Sequence, residues 1–121
     1  MSLRIGLVGC GRISDIYIEN CARFDGIDIV ACASLDMAES RAKAARHGIP
    51  RACTVEEIIV DPQIDCILNL TIPAAHAEIA LAAVEAGKHV YSEKPLVTTM
   101  QDGQRLLAAA GERGVLVGLS L

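Results

Sequence analysis

The tripeptide Glu93-Lys94-Pro95 holds the side chains best suited to chemistry in this chain. It follows a short apolar run, His89-Val90-Tyr91-Ser92, that reads as the end of a strand. Lysine is a compact charge whose proton affinity shifts readily with its surroundings, so it can act as proton donor or acceptor. A lysine beside a glutamate at the C-terminal lip of a parallel sheet stands where open α/β folds bind ligands. A second signal lies near the start, in Gly9-Cys10-Gly11-Arg12-Ile13-Ser14. An aliphatic strand precedes it and an amphipathic helix follows. The first glycine permits a tight turn, the second lets the backbone approach a pyrophosphate, and the helix start offers free N–H groups. Ser14 is small enough for helix and strand to pack closely. Gly9, Gly11, Arg12 and Ile13 are therefore cofactor-binding candidates; for Arg12 a solvated place at the helix start is the plainer alternative.

The end of the second strand bears on the choice of cofactor. An acidic residue about 20 positions past the turn would accept ribose hydroxyls and repel a 2′-phosphate. Ser34 occupies that position, Leu35 follows, and Asp36 comes two residues late. A serine tolerates a 2′-phosphate better than a carboxylate would, which leans the reading slightly to NADP. No arginine follows Ser34 directly to grip that phosphate, and Arg12, Arg41 and Lys43 are candidates only. NAD and NADP both stay open, with Ser34 and Asp36 as candidate contacts.

The elements that position these residues alternate. Leu3 to Val8 reads as a strand, Arg12 to Phe24 as a helix with Ile13, Ile16, Tyr17, Cys21 and Phe24 near one face, and Ile27 to Ala33 as a second strand. Met37 to His47 has helical spacing and is closed by Gly48 and Pro50. A short strand near Arg51–Cys53 precedes Thr54-Val55-Glu56-Glu57, which fits a capping box. Ile64 to Leu70 is a fourth strand, Pro73 to Ala86 a helix ending at Gly87, and His89 to Ser92 a fifth strand. Thr98 or Thr99 caps a helix to Arg113, and Val115 to Leu119 is a sixth strand. This order predicts a doubly wound α/β fold with a parallel sheet in the order 3-2-1-4-5-6.

Composition agrees. A chain of 121 residues is one domain by the usual prior of roughly 100–200 residues each. Hydrophobic residues make up 52% and aromatics 2%, so the core must be built from Ile, Val, Leu and Ala, as in strands buried on both faces. The net charge of −4 comes without a basic stripe and argues against nucleic acid. No apolar run reaches the roughly 18 residues of a membrane span, and the N-terminus lacks the order of a signal peptide, so a cytoplasmic protein is expected. Five cysteines, at 10, 21, 32, 53 and 66, include no C-x-x-C pair and read as reduced, buried thiols rather than metal ligands.

The segment from His76-Ala77-Glu78 through Ala86-Gly87-Lys88-His89-Val90-Tyr91-Ser92-Glu93-Lys94-Pro95 closely resembles the Gfo/Idh/MocA oxidoreductase family. The early G-C-G-R, Asp61-Pro62-x-Ile64-Asp65 and Thr71-Ile72-Pro73 are also similar to it. The resemblance implies an N-terminal Rossmann domain, residues 1–121, that binds NAD or NADP. It further implies a larger second domain, absent from this chain, that holds most of the substrate site and the usual dimer interface. A small polyol substrate and a homo-oligomer are thus expected of the full-length protein. Carried over by position, Lys94 is the acid/base or substrate-orienting lysine, and Glu93 lies near the nicotinamide ribose. Thr71 and Ile72 line the same pocket, although many members have Thr-Pro where this chain has Thr71-Ile72-Pro73. His76 opens the helix beside the nicotinamide, either as a contact or as a brace for the loop. The alternative is a non-catalytic, dinucleotide-sensing regulator of the same fold.

Overall fold

The computed structural model describes residues 3–92 and 100–119, with the backbone alone at Arg12, Pro73, Ala74, His76 and Leu119. Glu93, Lys94 and Pro95 lie outside the described residues, as do Thr98 and Thr99. The elements run β1 (Leu3–Val8), α1 (Arg12–Cys21), β2 (Ile27–Ala33), α2 (Met37–His47), β3 (Arg51–Cys53) and α3 (Val55–Val60). They continue with β4 (Cys66–Asn69), α4 (Pro73–Glu85), β5 (His89–Ser92), α5 (Met100–Arg113) and β6 (Val117–Leu119). All pairings are parallel and the sheet order is β3-β2-β1-β4-β5-β6, as the alternation predicts.

The aliphatic strands explain the layering. Successive side chains point to opposite faces, so each strand feeds two cores. One joins Val8, Ala31, Ala33, Ile58 and Ile67 to Ala80, Ala83 and Val84 of α4 and Leu106 of α5. The other joins Leu7, Cys32 and Leu68 to Ile18 of α1 and Ala44 of α2. Burying an Ile or Leu side chain contributes about 1.5–3 kcal/mol, so these alternating sets fix the register. A one-residue slip would exchange the two cores. No helix among the described residues is long and apolar enough to cross a membrane.

The helix face expected for α1 is corrected. Ile16 is 58% exposed, Phe24 62%, and Ile13 is also exposed. The buried stripe is Ser14 and Ile18, flanked by half-buried Tyr17 and Cys21. The fully buried Ser14 lets α1 approach the sheet closely and rotates the stripe away from Ile13. The helix also ends at Cys21, so Phe24 sits in the following turn. Of the cysteines, 10, 32, 53 and 66 are buried and Cys21 is half-buried, all as free thiols.

The N-terminal end of the sheet is closed by its own charges. Lys88 is 5% exposed, and its Nζ donates to the carbonyls of Ile64, at 2.8 Å, and Asp61. Burial lowers its pKa. Arg4 pairs with Asp65 and Arg51 with Asp61. His89 Nδ1 accepts from the Leu116 N–H at 3.0 Å, which fastens the approach to β6.

Candidate functional site

The chain leaves β1 outward to β2 and β3, then returns to β4 on the other side. At such a switch point the crossover helices diverge and leave a crevice beyond the strand ends. A cleft of about 330 Å³ opens there, lined among others by Gly9, Gly11, Ser34, Asp36, Thr71 and Ile72. Residues separated by some sixty positions are thus brought together as the spacing argument expects. Ile13 does not line it. The side chains of Arg12 and His76, like Glu93 and Lys94, are outside what the structure describes. A cleft of about 460 Å³ between α4 and α5 is larger, but it lies on the outer helical layer, away from the strand ends.

The two motif glycines have different reasons to be glycine. Gly9 has φ +100°, and a Cβ there would stand 2.6 Å from the backbone carbonyl of Leu70. The fold itself demands it. Gly11 has φ −74°, which any residue adopts, and a Cβ there would meet nothing within 4 Å. Nothing among the described residues requires a bare backbone at Gly11; a group approaching from the cleft would.

The helix starts around the cleft differ as well. α2 is capped by Asp36, whose Oδ1 accepts from the Ala38 N–H at 2.9 Å. α3 has the expected capping box, Thr54 with Glu57. α1 and α4 start at Gly11 and Ile72 with no side-chain cap. In α1 the N–H groups of Arg12 and Ile13 precede the first intrahelical bond, from the Ser14 N–H to the Gly11 carbonyl; in α4 Pro73 has no N–H and Ala75 bonds the Ile72 carbonyl, which leaves the Ala74 N–H, and both starts carry the positive end of the helix dipole.

Ser34 is less available than its position implies. Its hydroxyl donates to the Asp36 carbonyl at 2.8 Å and accepts from the Asp36 N–H and from Ser40. It shapes the start of α2. Asp36 uses one carboxylate oxygen as the cap, and Glu39 lines the cleft one helical turn on. The lining contains two carboxylates and no lysine or arginine among the described residues. On the β4 side, Thr71 Oγ1 donates to Asn69 Oδ1 at 2.7 Å, which fixes that loop. At the end of β5, the fully buried Ser92 hydroxyl has no partner among the described residues.

Cys10, Leu35 and Glu39 are among the lining residues that sequence reasoning missed. Leu35 is 99% exposed. A large aliphatic residue between Ser34 and Asp36, beyond the end of β2, was the available signal. Cys10 sits between the motif glycines but reads as a core thiol on composition.

Asp15 holds α1 to α2. Its Oδ1 is 2.7 Å from both Lys43 Nζ and His47 Nε2, and its Oδ2 is 3.4 Å from Arg46. The hydrogen bond from Lys43, then that from His47, lowers its pKa to about 2.

The parallel order, the switch-point cleft and the open backbone at Gly11 define a Rossmann-type domain. The chain belongs to the Gfo/Idh/MocA oxidoreductase family, NAD-binding Rossmann fold, whose family model matches residues 3–121. It is similar to 1,5-anhydro-D-fructose reductase of Ensifer adhaerens, 37% identical over 116 residues that cover 95% of this chain and 35% of that protein. Myo-inositol 2-dehydrogenase of Thermotoga maritima is 32% identical over 118 residues, covering 95% of this chain and 35% of that protein. Biliverdin reductase from Synechocystis sp. PCC 6803, solved with biliverdin and NADP+, superposes with a TM-score of 0.90 at 32% identity, covering 98% of this chain and 37% of that one. The chain spans about a third of the length of the curated relatives it matches.

Proposed function

We propose that this chain forms the cofactor-binding half of an NAD(P)-dependent oxidoreductase acting on a sugar, inositol or related polyol. The observation that carries the reading is Gly11, where a Cβ would meet none of the described residues, at an uncapped helix start in the switch-point cleft. Gly9, Gly11, Arg12 and Ile13 would hold the pyrophosphate through backbone N–H groups at the start of α1. Asp36, with Ser34 shaping its turn, would take the adenosine ribose. Thr71, Ile72, His76 and Glu93 would flank the nicotinamide half. Two carboxylates in the lining favour free ribose hydroxyls over a 2′-phosphate, so NAD is the preferred cofactor, against the slight lean to NADP that Ser34 gives. A polyhydroxy substrate is supported by the two curated relatives above, an anhydrofructose reductase and an inositol dehydrogenase.

The nicotinamide supplies the hydride acceptor when bound. Lys94 stands two residues past the end of β5, so it can orient and polarise the substrate hydroxyl and take part in moving its proton. Glu93, its neighbour in sequence, would favour the charged form, and the first role of Lys94 would then be that of an orienting cation.

Titration with NADH and NADPH tests the cofactor assignment. The chain has no Trp, so calorimetry or the emission of the reduced cofactor reports binding. NADH should bind about tenfold more tightly than NADPH, a difference of about 1.4 kcal/mol. Binding of neither at about millimolar concentration, where affinity is worth only about 4 kcal/mol, sinks the proposal. In the intact protein, Lys94→Ala should abolish turnover with a polyol panel and leave NADH affinity within about threefold, under 1 kcal/mol.

A further inference from the structure

The two carboxylates in the cleft are not equivalent. Asp36 and Glu39 stand three positions apart at the start of α2, the spacing of a capping box. In α3 the same spacing closes the box: the Thr54 N–H donates to Glu57 Oε1 at 2.9 Å, and the Glu57 N–H donates to Thr54 Oγ1 at 3.2 Å. In α2 the box stays open. The Asp36 N–H, which Glu39 would accept from, donates instead to Ser34 Oγ at 3.1 Å. Asp36 Oδ1 in turn accepts from the Ala38 N–H at 2.9 Å. The serine thus takes the part that the glutamate plays in α3 and releases Glu39. Among the described residues the Glu39 carboxylate has no hydrogen bond or ion pair. It is exposed and lines the cleft beside Ser34, Leu35 and Asp36. The cations of α2 are placed elsewhere: Lys43 and Arg46 lie 2.7 and 3.4 Å from Asp15, and Arg41 does not line the cleft.

We propose that Glu39 is the specificity-determining residue of the cleft: its carboxylate excludes a 2′-phosphate and so selects NAD over NADP. This rests on the dinucleotide reading above and deepens it. The residue that usually makes the choice is an acid at the end of the second strand. Here Ser34 holds that place, with its hydroxyl committed to the turn. Asp36 keeps one oxygen in the cap, where the helix dipole offsets part of its charge. Its other oxygen can accept from a ribose hydroxyl. Glu39 adds a second charge that no cap holds in place. A phosphate monoester carries a charge of about −1.5 to −2 at pH 7. Like charges repel within a Debye length, about 8 Å at physiological ionic strength. A free ribose hydroxyl meets no such repulsion and donates to a carboxylate instead.

The test uses the intact protein and measures NADH and NADPH affinities by calorimetry in the parent, Glu39→Gln and Asp36→Asn. The parent should prefer NADH about tenfold. Glu39→Gln should raise NADPH affinity about tenfold and leave NADH within about threefold, so that the preference disappears. Glu39→Arg should reverse it. Asp36→Asn keeps a good cap residue and should move the ratio of the two affinities by less than about threefold. The preference of the parent should also narrow as sodium chloride rises from about 0.05 to 0.5 M, a measurement that needs no variant. A parent that binds neither cofactor fails the dinucleotide reading and this inference together. A parent that prefers NADPH overturns the inference and leaves the dinucleotide reading standing. So does a preference for NADH that neither salt nor Glu39→Gln reduces, or that Asp36→Asn reduces as far as Glu39→Gln.

Discussion

Two pairs of helix starts follow different rules. α2 and α3 satisfy their own first turns, through Asp36 and through Thr54 with Glu57. α1 and α4, which begin at the same cleft, carry no side-chain cap. A good N-cap contributes about 1 kcal/mol, so the two open starts forgo stability on that order each. The glycines repeat the contrast within one motif, since Gly9 is demanded by the fold and a Cβ at Gly11 would meet none of the described residues. Of the four helix starts on the cleft, two obey the local capping rule and two suspend it, and such suspended rules are the usual mark of a functional region.

The largest effect expected is at Gly9. Gly9→Ala adds positive-φ strain and a contact with the Leu70 backbone that cannot give, and should cost about 3 kcal/mol. Thermal denaturation should show the midpoint lower by about 10 °C. Gly11→Ala should leave the midpoint within about 2 °C, because its Cβ enters open space. It should weaken NADH binding about tenfold. Equal losses of stability in the two variants would erase the distinction between the glycines.

Next is Lys88→Met, which leaves the Asp61 and Ile64 carbonyls without their buried donor. The cost should be about 2 kcal/mol in chemical denaturation. NADH affinity should be unchanged, because Lys88 acts at the opposite end of the sheet from the cleft. A cofactor defect without a stability defect would show that the two ends are not independent.

Much of this division was legible in the sequence. Strand order followed from aliphatic runs alternating with helical spacing, and His89–Ser92 was read to its exact bounds. The Thr54–Glu57 box was equally plain, because a cap is a local pattern. What could not be read depends on direction rather than spacing. Ile13 and Ile16 look like core residues, yet Ser14 is the residue turned to the sheet. Ser34 stands at the expected ribose position, but its hydroxyl is committed to the turn before α2. Cys10 and Cys32 are 22 positions apart, yet both belong to the cluster under α1 and α2, which the pairing of β1 with β2 assembles. The lysine that opened the functional reading, Lys94, lies outside the described residues, so its role rests on family likeness and on the course of β5.

A smaller effect comes from exchanging the two rules. Thr54→Ala removes the α3 cap and should lower stability by about 1 kcal/mol without touching cofactor affinity. Ile72→Asp gives α4 a cap at a residue already in extended geometry, φ −64° and ψ 153°. It should raise stability by up to about 1 kcal/mol. The same carboxylate would compete for the N–H groups of the first turn and repel a phosphate-bearing ligand, so NADH should bind more weakly in calorimetry. A variant that gains both stability and affinity would show that the open start of α4 is not kept for the ligand.

The smallest effect tests how an uncapped α1 is held in place. With no cap at Gly11, the helix is fastened from its flank by Asp15 to Lys43 and His47. The folded pKa of Asp15, about 2, lies below the ordinary carboxylate value, so the native state favours the ionised form. Its contribution is complete above about pH 4 and is lost as pH falls from about 4 toward 2. Glu57, Asp61 and Asp65 are also lowered, by hydrogen bonds from backbone N–H groups and, at Asp61 and Asp65, by arginine pairs, and they act in the same direction. Asp15→Asn should therefore make the acid limb of the stability profile shallower without abolishing it. Because α1 carries the open start, the same variant should weaken NADH binding slightly at neutral pH, whereas Asp65→Asn should not. If Asp15→Asn changes the acid limb and leaves binding untouched, α1 is held by its apolar stripe alone, and the carboxylate serves stability rather than the site.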